Sequence, residues 1–172
     1  EGDMEDSCAE CGFDESSTPP AGVVTGLDRV TPRICAAIRA VPPQRLRQRP
    51  DSATWAPIEY LGHLRESMAF HRWLIERALA EEDPAIPIVD PDQSVADAGY
   101  IDADLDELVG QFERRILRLT DRLTVLPHGA DQRRLTLGDL RITVALVARS
   151  AWHECHHHLG DIRRLGGLGP EH

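Results

Sequence analysis

The stretch Ser150–Leu165, SAWHECHHHLGDIRRL, decides how this chain is read. It lies in a run from Leu135 that has no proline and, before Gly160, a single glycine, Gly138, a composition that predicts a long helix. On such a helix His153 and His157 share a face one turn apart, so both imidazoles can reach one metal ion. Followed backwards at about 100° per residue, that face leads to Leu146 and Ile142, which predicts that the pair points into the core. Imidazoles on an apolar stripe are costly to bury alone, and a divalent cation suits a pair at this spacing. A lone histidine there reads as an ordinary core or surface residue; the i, i+4 pair shifts the reading to metal. Two ligands are not a site, so a third is required from elsewhere in the chain.

Three more amphipathic segments precede this one. Val23, Leu27, Val30, Ile34 and Ile38 are spaced three or four apart, which predicts a helix over 23–41 with Pro32 inside it. Either Thr31 caps a fresh start there or the helix bends. Asp51, Ser52 and Thr54 offer caps for a second helix running to about Glu82, with Pro57 in its first turn. Its inward stripes hold Leu61, Leu64, Met68 and Ile75, and beside them Tyr60, His63, Phe70 and Leu74. His63 among these core residues is the candidate third ligand, with His71 as second choice. Prolines 84, 87 and 91 predict a long loop over 83–104, of the kind that covers or shapes a site. Leu105, Leu108, Phe112, Ile116, Leu119 and Leu123 then mark a third helix over 105–126, whose arginines 114, 115, 118 and 122 form a solvated face. Thr136 is the expected cap of the fourth helix, which ends near Gly166 and Gly167. No strand pattern stands out. The fold expected is all-α: a four-helix bundle over 22–167, an N-terminal segment and linker over 1–21, and a short tail over 168–172.

The N-terminal segment carries CAECGFD, Cys8–Asp14, a CxxC followed by glycine. This is half of a zinc knuckle, a redox pair, or a flexible reduced pair. A zinc ion here would need histidines, carboxylates, a partner chain or the central site to complete its shell. The remaining cysteines, Cys35 and Cys155, are isolated, and four cysteines without secretory features do not make a disulfide framework. A net charge of -10 opposes binding to nucleic acid. No apolar run is long enough for a membrane span, and the acidic start lacks the basic and apolar parts of a signal peptide, so a cytoplasmic protein is expected. Exposed helix faces leave room for a homodimer, though no residue specifies its interface.

Two pieces, WAPIEYLGHLRES (Trp55–Ser67) and WHECHHHLGDIRR (Trp152–Arg164), resemble the two metal-binding helices of the DinB-like metalloprotein superfamily. The resemblance runs from about Val23 to Leu165 and implies a four-helix bundle. By motif, the helix-two histidine falls on His63 and the HxxxH pair on His153 and His157. Family members with assigned activities include thiol-dependent S-transferases and the metal domain of mycothiol-dependent maleylpyruvate isomerase. No counterpart of that isomerase's substrate-handling second domain is expected in these residues, so its specific reaction is not the expectation. The CxxCGF opening is similar to that of a subgroup without assigned activity. A second i, i+4 pair, Glu154 and His158, leaves the ligand register open by one residue; the continuity of the His153 face with Leu146 and Ile142 favours His153.

Three imidazoles on Zn²⁺ or Ni²⁺ would leave an open position, the mark of a catalytic site. The resemblance therefore implies a metal-dependent transferase that activates a low-molecular-weight thiol such as mycothiol for attack on a small electrophile. The alternatives are a non-catalytic metal-binding or redox-sensing bundle, with Cys8 and Cys11 as the responsive element, and a metal-dependent hydrolase.

Overall fold

In a computed structural model that describes residues 7–169, the three- and four-residue spacing of apolar side chains becomes four long helices with short elements between them. In chain order these are strands β1 (Ser7–Cys8) and β2 (Phe13–Asp14), helix α1 (Pro20–Ala40), the one-turn α2 (Pro43–Leu46), α3 (Pro57–Ala80), β3 (Ala85–Ile86), α4 (Pro91–Ala98), α5 (Leu105–Thr124), β4 (Arg134–Leu137), β5 (Leu140–Thr143) and α6 (Val144–Gly166). Residues 1–6 lie outside the described part, as do 170–172 of the expected tail. Helices α1 and α3 each pack against both α5 and α6, so the consecutive long helices α1 and α3 stand diagonally across the bundle. No helix among the described residues is long and apolar enough to cross a membrane.

The expected stripes form one core. Leu27, Ile34 and Ile38 of α1, Leu61, Leu64, Met68 and Ile75 of α3, and Phe112 and Leu119 of α5 are fully buried. Pro32 does not break α1, and Thr31 does not cap a new helix; its hydroxyl donates to the Leu27 carbonyl at 2.7 Å. Helix α3 begins later than expected. Glu59, buried, accepts from the Ala56 amide at 2.9 Å and from Nε and Nη2 of Arg49, both at 2.7 Å, so the helix start is closed by a two-pronged ion pair.

Two departures from the sequence reading shape the site. The fourth helix does not start at Thr136, because 134–143 form a β-hairpin turning at Gly138, whose φ of 58° suits glycine. Parallel pairing of β3 with β4 makes a small three-stranded sheet where no strand was expected. Strands of two to four residues are too short to show alternation. Thr143 is the true cap, its hydroxyl accepting from the Leu146 amide at 3.2 Å, so Ile142 is not on the helix. The expected loop over 83–104 contains α4, capped by Asp90, and a tight turn at Tyr100–Asp102 whose aromatic ring lies on Gly62 of α3.

Glycines test this packing with opposite signs. A Cβ on Gly26 of α1 would come within 2.2 Å of the Trp152 ring, whereas one on Gly160 of α6 meets nothing within 4 Å. Gly26→Ala is expected to destabilise the chain by about 1–3 kcal/mol. Gly160→Ala, relieving only the glycine's helix penalty, should stabilise it by roughly 0.5–1 kcal/mol. Denaturant midpoints at unchanged slope measure both.

Candidate metal centres

Helix α6 buries Val144, Val147, Ala148, Ala151, Cys155, Leu159 and Ile162. At about 100° per residue, this stripe puts Glu154 and His158 on its α3 flank and His153 on nearly the opposite side of the helix. The structure accordingly separates the expected ligands. Among the described residues, donor atoms converge within 4.8 Å in the group His63, Glu154 and His158, and in the group Cys8, Cys11, His153 and His157. His63, His153 and His157 do not form such a group. The inward direction expected for His153 rested on Ile142, which belongs to β5, and on Leu146, which is only half-buried.

In the first group, Glu154 Oε2 lies 2.8 Å from His63 Nε2 and 3.4 Å from His158 Nε2. Donors held about 2.0–2.2 Å from one ion stand roughly 2.8–3.6 Å apart, so these spacings fit a single first-row cation. On its other nitrogen, Nδ1, His158 donates to Asp161 Oδ2 at 2.8 Å, which turns Nε2 towards Glu154 and His63. Arg164 Nη2 donates to the other Asp161 oxygen at 2.8 Å. Burial opposes charge on Glu154, yet the hydrogen bonds to His158 and His63 hold its carboxyl well below the usual range. Burial also opposes protonation of His158, but Asp161 and Glu154 outweigh it and push the imidazole up to about 9. The rings of Trp55 and Tyr60 flank the group, centred 5.0 Å from His63 and 5.2 Å from His158 respectively. Burial raises the Tyr60 phenol to about 12, so it stays protonated.

The second group stands on the outer side of α6, under the N-terminal hairpin. Cys11 Sγ is 3.4 Å from His153 Nε2, and Cys8 Sγ is 3.8 Å from His157 Nδ1. The CxxC segment lies outside the bundle as expected, and it is folded back onto the helix through Phe13, which is buried and stacks on His153 at 4.8 Å between centroids. Burial, reinforced by the neighbouring Cys8 thiol, pushes Cys11 up, and burial pushes His153 down.

The other expected candidates serve structure. His71 is buried, with Nδ1–H donating to the Ser67 carbonyl at 2.7 Å and Nε2 accepting from the Ser150 hydroxyl at 3.2 Å. Cys155 is buried against Met68, and burial raises Cys35 to about 11. His128 is exposed. Asp161 and Phe13 were not singled out from sequence; the i, i+3 spacing of His158 and Asp161 was the available signal for the first.

Across residues 27–162 the sequence matches the DinB superfamily. The chain belongs to that superfamily. Its fold is similar to a solved structure of YfiT from Bacillus subtilis, described as a probable metal-dependent hydrolase with an unusual four-helix bundle topology. The TM-score is 0.75 at 21% identity, over 87% of this chain and 89% of that one. No curated protein matches. The DinB fold implies a metal, and the convergence of His63, Glu154 and His158, with Asp161 behind His158, fits one.

Asp161→Asn replaces the carboxylate behind His158 with a weaker acceptor and should cost roughly 10–100-fold in zinc affinity at this group, read by competition with a chromophoric chelator. Because uptake displaces the His158 proton, affinity in the unmodified chain should rise with pH and level off above about 9.

Proposed function

We propose that this chain is a metal-dependent enzyme whose ion is held by His63, Glu154 and His158. The observation that carries this reading is the half-buried carboxylate of Glu154 set between two imidazole nitrogens, with no fourth side chain completing the group among the described residues. A three-ligand set with a vacant coordination position is the arrangement of catalytic rather than structural zinc. Bound there, Zn²⁺ or Ni²⁺ would supply Lewis-acid activation of a nucleophile and of the group it attacks.

The chain's own side chains do the remaining work. Glu154 contributes the negative charge that offsets a divalent cation, and Asp161 fixes the tautomer of His158. Trp55 and Tyr60 supply apolar walls that limit water, with the neutral phenol of Tyr60 a candidate hydrogen-bond donor to substrate.

Hydrolysis of a small substrate is the reading this donor set supports best, since two histidines and one glutamate are the zinc ligands of several hydrolases. The description of YfiT as a probable metal-dependent hydrolase agrees with it. Thiol transfer is the second reading, supported by the resemblance of Trp55–Ser67 and Trp152–Arg164 to metal-binding helices of thiol-dependent transferases; the cosubstrate would then be a low-molecular-weight thiol such as mycothiol. Both readings use the same vacant position.

Activity screens with ester, amide and thiol-plus-electrophile substrates should find one activity that a chelator abolishes and Zn²⁺ or Ni²⁺ restores. His63→Ala and Glu154→Ala should each lower it by more than about 100-fold, exceeding the usual effect of losing a residue behind a ligand. His153→Ala should leave a substantial fraction. Loss in His153→Ala with retention in Glu154→Ala would move the catalytic ion to the other register and overturn this assignment.

A further inference from the structure

The extra histidines of WHECHHHLG have no task in the site just described. They sit where four soft and borderline ligands meet. Helix α6 presents two i, i+4 pairs offset by one residue: Glu154 and His158 towards α3, and His153 and His157 towards the N-terminal hairpin. The hairpin meets the second pair with both of its thiols. Gly12, at φ 74°, lets the chain turn back after Cys11, and its amide donates to the Cys8 carbonyl at 2.8 Å, so the CxxC is curled with its sulfurs on one side.

Donors about 2.0–2.3 Å from a tetrahedral zinc stand roughly 3.3–3.8 Å apart. The two sulfur–nitrogen separations, 3.4 and 3.8 Å, lie within that span, and all four donor atoms fall within 4.8 Å of one another. The imidazoles are held from behind. Phe13 stacks on the His153 ring at an interplanar angle of 14°, and the second nitrogen of His157 is 3.9 Å from both Glu10 and Asp161 carboxylates. His156 contributes from outside the group: its Nε2–H donates to the Cys11 carbonyl at 3.2 Å, tying the thiol-bearing turn to α6.

We propose that Cys8, Cys11, His153 and His157 form a closed, four-ligand zinc site that clamps the N-terminal hairpin to α6, separate from the open site at His63, Glu154 and His158. Binding converts two thiols to thiolates and releases two protons, leaving the zinc with its two thiolates neutral overall. Four protein ligands leave no position for substrate, so the role is structural. The clamp fixes the rotation of α6 about its axis at the level of Glu154 and His158. This inference does not depend on the enzymatic reading.

The test is Co²⁺ and Zn²⁺ loading of the full chain, without a histidine tag and under reducing conditions. Wild type loaded with Co²⁺ should show near-ultraviolet thiolate-to-metal charge-transfer absorption and intense tetrahedral d–d bands. Cys8→Ser with Cys11→Ser should lose that absorption and about one equivalent of metal while keeping its helical circular dichroism. His63→Ala with Glu154→Ala should keep the absorption and lose a different equivalent. Zinc should also protect Cys8 and Cys11 from alkylation. Metal uptake by wild type without a thiolate band, or alkylation of both cysteines as fast with zinc as with chelator, would overturn the clamp and leave the open site standing. A single equivalent that carries the thiolate band would support the clamp and remove the ion from the proposed catalytic group.

Discussion

A carboxylate placed between two helices of a bundle needs compensation, and Glu154 finds it in His63 and His158. Its carboxylate is half-buried, so water solvates the charge only in part, and the imidazoles facing it across the α3–α6 contact offset what is lost. The pairing draws in Asp161 behind His158 and Arg164 behind Asp161, a chain of alternating charge that runs from the helix contact to the exposed end of α6. The same helix contact is apolar at the next residue of α6, where Cys155 meets Met68, and lightly polar about a turn beyond that, where Ser150 meets His71. Polar pairs matched across an otherwise dry interface fix the axial register of the two helices, because a shift by one turn would leave each without its partner.

Helix α6 is consequently read from three sides. Its apolar stripe faces the core, its α3 flank carries the carboxylate and imidazole donors, and its outer side carries His153 and His157 beneath the hairpin. Phe13 supplies the apolar seat for that hairpin, lying edge-on to Trp152 and stacked on His153. Trp152 in turn fills the space left by Gly26 of α1. His153 and the hairpin above it thus rest on a layer of aromatic packing that is continuous with the bundle, which explains why a segment of so few residues holds a defined place.

The four long helices and their apolar faces could be read from spacing, since a period near 3.6 persists over five or more turns in each. The histidine-rich turn and His63 also stood out as candidates for a metal site, because imidazoles in amphipathic helices contrast with their neighbours. The rotation of α6 was not. It was inferred from Ile142, an apolar residue that spacing alone cannot assign to a helix or to a preceding strand, and from Leu146, which is on the helix but only half-buried, so the face they marked is not the core face. The hairpin 134–143 hid in the same way: LTLGDLRIT has a glycine turn between short apolar-polar runs, a signal that an assumed helix absorbs. The union of CxxC with His153 and His157 was invisible to spacing, since it joins residues 142 and 149 apart.

The connections outside the bundle carry part of the site's geometry. Tyr100, from the segment that reads as a loop, lays its ring on Gly62, the residue before His63, and its hydroxyl donates to Glu66 at 2.5 Å. Arg47 anchors the same segment by donating to the Ile101 and Ala103 carbonyls. A side chain at position 62 would displace that ring, so glycine there permits the close approach that holds the turn of α3 bearing His63. On the facing helix the N-terminal hairpin holds the turn bearing Glu154 and His158 from its opposite side. The turn with His63 and the turn with Glu154 and His158 are each braced by packing between helices on one side and by a short excursion of chain on the other. Bracing from both sides holds donors on separate helices at the spacing a single ion requires, where the helix–helix contact alone would leave each free to roll by a fraction of a residue.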